Sequence, residues 1–256
     1  MRPYSGFVCL GMTDKPLAGK VALVTGSSKG IGRAIALGYA RAGAAVACAA
    51  RSEDALNEVV ETIQNEGGEA FAVVTNVTNE AAVEEMLEQT VNHLGGLDIL
   101  VVNAGGNIGR GRVDEGSSED WKATLNLNLF GAYYCIKAAI PHLKTRGAGK
   151  IITVGSGLGH NGLPGGSAYA CAKAALWMLT RVVAQELAEH NISVNELIPG
   201  PVETGVLTDE FRKNVVEKYL EWLKNPEDVV DLALFLATQP AVGPSAQSFS
   251  LMRRAV

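Results

Sequence analysis

From Lys20 almost to the end of its 256 residues, the chain alternates short apolar runs with longer stretches of helical period. The runs are VALVTG (21–26), AAVACAA (44–50), AFAVVTNV (70–77), LDILVVNAG (97–105), KIITVGS (150–156) and ISVNELIPG (192–200), and SFSLM (248–252) reads as a last strand. Because they are apolar at successive positions, both faces need cover, as in a parallel sheet with helices on either side. Helical patterns fall between them at 30–42, 53–66, 79–94, 119–143 and 168–190, with a further pair near 208–223 and 226–238. Strand and helix in turn make βαβ units with right-handed crossovers. The expected fold is α/β and doubly wound: a single, mostly parallel sheet of about seven strands with helices on both faces. One domain over 1–256 is expected, with residues 1–16 a loose extension.

Composition narrows the partners. A net charge of −5, from 22 Lys plus Arg against 27 Asp plus Glu without long runs, leaves no electrostatic footprint for nucleic acid. A small molecule is the expected partner. Cys9, Cys48, Cys135 and Cys171 form no CxxC pair and read as buried, reduced thiols. The four histidines show no metal-ligand spacing, so no metal is expected. No run approaches the roughly 18 apolar residues of a membrane span, and the apolar run in the opening MRPYSGFVCLGMT is too short for a secretion signal. The expected compartment is the cytoplasm.

The turn VTGSSKGIGRAIA joins the first strand to the first helix and carries Gly26, Gly30 and Gly32. Glycines here let the backbone turn sharply and approach a pyrophosphate, while the helix points its free N–H groups at the anion. By itself such a turn is often only a tight turn. The spacing TGxxxGxG on the first strand of a βαβ series resembles the short-chain dehydrogenase/reductase family. The resemblance runs through roughly residues 17 to 240, with NAG at Asn103 to Gly105, NLFG at Asn128 and IPGPVET at Ile198 to Thr204. Within that family the chain is most similar to 3-oxoacyl-[acyl-carrier-protein] reductases. It departs from them in a short stretch between Thr204 and Glu227 and in a tail that lacks the usual Gly-Gly.

Two tyrosine–lysine pairs have the same spacing, Tyr133 with Lys137 and Tyr169 with Lys173, so spacing alone cannot name the reacting pair. Context separates them. Tyr169 follows strand five through the glycine-rich loop GLGHNGLPGG, and Ser156 closes that strand thirteen residues earlier; thirteen residues before Tyr133 stands Asp120, inside a helix. Reduction of a ketone by hydride builds negative charge on its oxygen, so an acid must stand within reach to deliver a proton. A phenol is a poor acid at neutral pH, and the Lys173 ammonium one turn away is expected to lower its pKa. Tyr169 is thus the expected acid in reduction and base in oxidation. The family resemblance implies that Lys173 also holds the nicotinamide ribose, that Ser156 bonds the substrate oxygen, and that Asn128 anchors a water leading from Lys173 towards solvent. Cys171 is expected in the core and His160 is expected to be solvated, outside the site.

The resemblance also implies a Rossmann fold and nicotinamide-dinucleotide contacts. These are Gly26, Ser28, Lys29, Gly30, Ile31 and Gly32 in the first turn, and Arg51, Asn76 and Val77 after strands two and three. Asn103, Ala104 and Gly105 follow strand four, Tyr169 and Lys173 lie on one helix, and Pro199, Gly200, Val202 and Thr204 lie beyond strand six. A family member preferring NAD usually carries an acidic residue after strand two, where this chain has Ala50 then Arg51. Two cations, Arg51 and Lys29, suit a 2′-phosphate, so NADP(H) is expected over NAD(H). Asn76 replaces a more usual Asp, and its carbonyl oxygen is expected to accept from the adenine amino group. The segment from Gly205 to Leu223, with Phe211, Val215, Val216, Tyr219 and Leu223 near one face, reads either as an apolar lid or as a packed surface helix. The expected activity is NADPH-dependent reduction of a ketone, such as a 3-oxoacyl thioester, and the family resemblance implies a homotetramer or dimer assembled through the helices near 119–143 and 168–190. The alternatives are a sugar or polyol dehydrogenase of the same family and a non-catalytic redox sensor.

Overall fold

The computed structural model describes residues 15–204, 212–215 and 221–253. Seven strands form one sheet: β1 (Val21–Thr25), β2 (Ala45–Ala50), β3 (Ala70–Val74), β4 (Ile99–Val102), β5 (Gly149–Val154), β6 (Ile192–Ile198) and β7 (Ser248–Ser250). They lie in the order β3-β2-β1-β4-β5-β6-β7, and every pairing is parallel. The expected sheet is therefore present, parallel throughout.

Side chains alternate across it with the strand period of two. Ala22 and Val24 of β1 join a core with α1 (Gly30–Arg41), α2 (Glu53–Asn65) and α7 (Val230–Thr238). Leu23, between them, joins the opposite core with α3 (Glu80–Leu94), α5 (Gly131–Arg146) and α6 (Ser167–Glu186). Both faces of each central strand are thus removed from water, worth about 1.5–3 kcal/mol per large aliphatic side chain. That is why these strands read as continuous apolar runs.

Local chemistry sets the helix ends. Asn79 caps α3 by accepting from the Ala82 amide at 3.2 Å, and Gly95 ends it in the left-handed region at φ 77°. Ser117 caps α4 (Ser118–Leu125) in the same way through Asp120 N. The pattern 119–143 suggests one helix, but the structure divides it. Between α4 and α5, residues Asn126–Phe130 form a single π turn. Such turns insert a residue into a helix without breaking its direction, so the apolar pattern carries on across it.

Several strands end earlier than the apolar runs suggest, β4 at Val102 and β3 at Val74. Their continuations leave the sheet at its carboxyl edge, where the site lies. The extension 1–14 and most of the segment read as a lid, including Phe211, Val216 and Tyr219, lie outside the described residues.

Candidate active site

The strand order reverses between β1 and β4, so their following segments diverge and leave a crevice at the carboxyl ends. On one side is the glycine turn. Gly26 and Gly30 adopt φ of 68° and 56°, values open to glycine. Lys29 stands at the N-cap of α1 with no side-chain capping bond, and the first turn carries no acidic residue, so its amides are available to an anion.

Two of the three glycines are required by the fold itself. A Cβ on Gly26 would stand 2.8 Å from Asn103 Nδ2, and one on Gly32 would run into both that amide and the Gly26 carbonyl. Asn103 donates from Nδ2 to Thr25 O at 2.8 Å and to Gly26 O at 3.2 Å, tying the end of β4 to the turn. Thr25 Oγ1 completes the tie by accepting from Asn103 N and Ala104 N. The Asn103 amide hydrogens are therefore engaged within the fold.

Beyond β2 and β3, Arg51 is exposed and makes no side-chain hydrogen bond or ion pair among the described residues; Lys29 is exposed too. Asn76 Oδ1 already accepts from Thr78 N at 3.2 Å and Thr78 Oγ1 at 2.9 Å. An Asx turn, not a vacant acceptor, occupies the position expected to face adenine, and the neighbouring Val77 is buried. Beyond β6, buried Pro199, Gly200 at φ 71° and buried Val202 lead back across the sheet end. There the Thr204 methyl group would lie 3.1 Å from a Cβ on Gly30. Ser28 and Ile31 are half-buried in the turn itself.

The side chains expected to react gather from three elements. Ser156, just past β5, accepts from Leu158 N at 3.2 Å, and its own hydroxyl hydrogen is directed to the Tyr169 oxygen. Lys173, 4% exposed on α6, donates from Nζ to Val154 O at 2.8 Å and lies 5.6 Å from the centre of the Tyr169 ring. A Cβ on Gly105 would stand 2.7 Å from Asn128 Oδ1 and 3.4 Å from Lys173 Nζ, so the glycine of NAG brings these two side chains together. Asn128, buried in the π turn, donates to Gly106 O at 2.6 Å and Thr124 O at 2.8 Å and accepts from Gly106 N. Its amide is fully used in fixing the loop after β4.

Burial pushes the Tyr169 phenol above the ordinary tyrosine range, and hydrogen bonding with Ser156 pulls the other way. The phenol thus lies above the ordinary range, where the sequence reading expects it below. Burial in turn drives Lys173 down to about 8, opposed by the charge of Glu196. The control pair behaves as a surface pair. Tyr133 is exposed, and Lys137 bonds Glu80 Oε1 at 2.7 Å across an open surface.

A glycine turn with uncapped amides and a part-buried Tyr169 with a buried Lys173 beside a serine, at one sheet edge, fit a dinucleotide-dependent redox enzyme. Residues 20–215 match the family described as short chain dehydrogenase. The chain belongs to the short-chain dehydrogenase family. It is an oxidoreductase acting on CH–OH groups, and its cofactor is a nicotinamide dinucleotide. It is 38% identical over 229 residues to a 3-oxoacyl-[acyl-carrier-protein] reductase of Synechocystis sp., covering 88% of this chain and 92% of that one. It is 35% identical over 236 residues to the 7alpha-hydroxysteroid dehydrogenase of Escherichia coli K12, covering 90% and 92%. A 7alpha-hydroxysteroid dehydrogenase solved with NADH and 7-oxo glycochenodeoxycholic acid superposes with a TM-score of 0.86 at 34% identity, over 93% of this chain and 95% of that one.

Sequence reasoning misplaces two side chains of this dehydrogenase. Cys171 is exposed, not in the core, because α6 turns that side of its first turns outward; Cys48 and Cys135 are buried, with thiols pushed up to about 12. His160 is not solvated: its side chain is 12% exposed and its Nε2 lies 3.1 Å from Glu196 Oε2. Glu196 went unremarked, although a lone acid inside the run ISVNELIPG is a legible signal. Among the described residues no cluster of three or more His, Cys, Asp or Glu is placed to hold a metal, and no helix is long and apolar enough to cross a membrane.

Proposed function

We propose that the enzyme reduces a ketone to a secondary alcohol with NADPH, and that the ketone is a 3-oxoacyl thioester. What supports the direction is the Tyr169 phenol, which like any tyrosine holds its proton at neutral pH and here stands in hydrogen-bond reach of Ser156. A group that keeps its proton at pH 7 is ready to give it to a developing alkoxide. Bound NADPH would supply the hydride. Gly26, Ser28, Gly30, Ile31 and Gly32 would hold its pyrophosphate, Arg51 and Lys29 the 2′-phosphate, and the segment from Pro199 to Thr204 the nicotinamide side. Ala104 and Gly105 would lie against the adenosine half, with Val77 at its edge.

Ser156 donates to the substrate oxygen and Tyr169 delivers the proton. Lys173 keeps one hydrogen bond to Val154 and has two further N–H bonds for the nicotinamide ribose and a water. Since the Asn128 amide is engaged, its part is to hold the loop that walls this channel, and a relay water would rest on main-chain oxygen of the π turn.

The thioester assignment draws support from similarity to the Synechocystis reductase. The similarity to the Escherichia coli enzyme favours a second reading, a secondary-alcohol dehydrogenase acting on a bulky ring alcohol. Initial rates with NADPH and NADH against acetoacetyl thioester, a 7-oxo bile acid and polyols separate them. A preference for NADPH and the thioester is expected; turnover confined to NADH with the steroid or polyols would replace this reading with the second. Trp121, Phe130 and Tyr133 on the α4–α5 face, with Met178 and Val182 on α6, are exposed apolar side chains that support assembly through these helices. A homotetramer or dimer is expected by light scattering, and a monomer at micromolar concentration would contradict it.

A further inference from the structure

Glu196 sits within β6 with none of its surface exposed. A carboxylate is costly there unless it is paired and hydrogen-bonded. The fold makes room for it: Gly155, just past β5, lacks a side chain, and a Cβ there would run into Glu196 Oε1. The carboxylate is held from two further elements. His160, on the turn after Ser156, places Nε2 3.1 Å from Oε2 and 3.4 Å from Oε1, and Ser248 of β7 donates its hydroxyl to Oε2 at 2.5 Å. His160 also meets the Trp177 ring edge-on, with ring centres 5.3 Å apart.

The same turn lies directly on the lysine. A Cβ on Gly159 would stand 2.8 Å from the Lys173 main-chain carbon. One buried acid thereby connects the turn that follows Ser156, the helix that carries Tyr169 and Lys173, and the edge strand.

We propose that Glu196 is a positioning residue for the reaction, a buried counter-charge that sustains the Lys173 ammonium and, through His160, seats the Ser156 turn against α6. The proposal rests on the reading of Lys173 as a member of the reacting set. Lys173 Nζ bonds the Val154 carbonyl, and the next residue, Gly155, is the one whose missing side chain admits Glu196 Oε1, so the two charges meet the same stretch of backbone; the carboxylate charge opposes the burial that drives the lysine down. The other groups facing the ammonium are the Tyr169 phenol from its own helix, the neutral Asn128 from the π turn and the Val154 carbonyl of β5. On the far side of the carboxylate, Arg181 of α6 faces the Ser248 hydroxyl at 3.4 Å and covers Trp177.

The test follows the Lys173 side chain itself, by NMR titration of protein carrying [6-13C]lysine, with the resonance assigned through Lys173→Met. A midpoint near 8 is expected in the parent. In Glu196→Gln it is expected to fall by about one pH unit, roughly tenfold in proton affinity, and in Glu196→Asp to return towards the parent value. A folded Glu196→Gln protein with an unmoved midpoint overturns the proposal. His160→Ala, which leaves the strand intact, gives a second arm should the strand variant fail to fold. Amide hydrogen exchange at Gly159 and His160 is expected to quicken about tenfold, with His160→Gln restoring part of the protection, and unchanged exchange likewise overturns it. Neither measurement needs substrate, so failure of the ketone-reduction reading would appear in the rate assay and not here.

Discussion

Lys173 Nζ donates to the main-chain oxygen of Val154 at 2.8 Å, beneath the turn that begins at Ser156. The ammonium is thus anchored to the sheet, and its burial has a thermodynamic signature. The native lysine sheds its proton near 8, against 10.5 without the fold. Between those values the unfolded chain binds more protons, so the stability due to this residue rises with pH. Below 8 both states hold the proton and the cost of burying the charge is fully present. Lys173→Met is therefore expected to be more stable than the parent at pH 7, with the gap narrowing by about 2 kcal/mol from pH 8 to pH 10. Urea unfolding of both proteins at several pH values measures it; a constant gap would contradict it.

Tyr169 carries the opposite sign. Its raised pKa keeps the native phenol protonated where a free tyrosine would ionise. Reduction draws on the protonated form and oxidation on the phenolate. The forward kcat/KM is expected to stay level through neutral pH, while the alcohol-oxidising rate climbs as pH rises towards 10. A pH profile taken in both directions checks this.

Arg51 is the exposed cation after β2, without an ion partner among the described residues. Arg51→Asp is expected to raise KM for NADPH roughly tenfold to a hundredfold, the loss of a charge-assisted contact, and to leave NADH little affected or improved. Equal KM changes for the two cofactors would remove the 2′-phosphate reading.

Gly105 and Gly106 make a matched pair. A methyl group at Gly105 would press on Asn128 Oδ1, whereas at Gly106 it would meet nothing within 4 Å. Gly105→Ala is expected to cost about 1–3 kcal/mol through overpacking and to lower kcat by displacing Lys173. Gly106→Ala is expected to stay within about 0.5 kcal/mol of the parent. Denaturant midpoints and rates on both variants decide between them.

Much of the fold is legible because the central strands are buried on both sides. Leu23 and Val24 pack into opposite cores, and only a run apolar at every position can do so. For the two tyrosine–lysine pairs, sequence neighbours point to a surface place for Tyr133 and Lys137, and the exposed bond of Lys137 to Glu80 puts them there. The π turn around Asn128 is hidden, because one extra residue in a helix shifts the phase of the pattern without interrupting it. The bond from Thr78 to Asn76 is hidden too, because it is a choice of turn, which residue type only permits. The pairing of His160 with Glu196 spans 36 residues and depends on the register of β5 against β6, which periodicity does not supply.

A phenol placed to hand its proton to a reduced carbonyl is the core of this account, and Tyr169→Phe removes that proton alone. Single-turnover rates with NADPH and acetoacetyl thioester, alongside fluorescence titration of cofactor binding, measure the consequence. The chemical step is expected to slow by about 10²–10⁴-fold with the cofactor Kd within about threefold of the parent. A folded, cofactor-binding Tyr169→Phe enzyme that turns over at the parental rate would contradict the account.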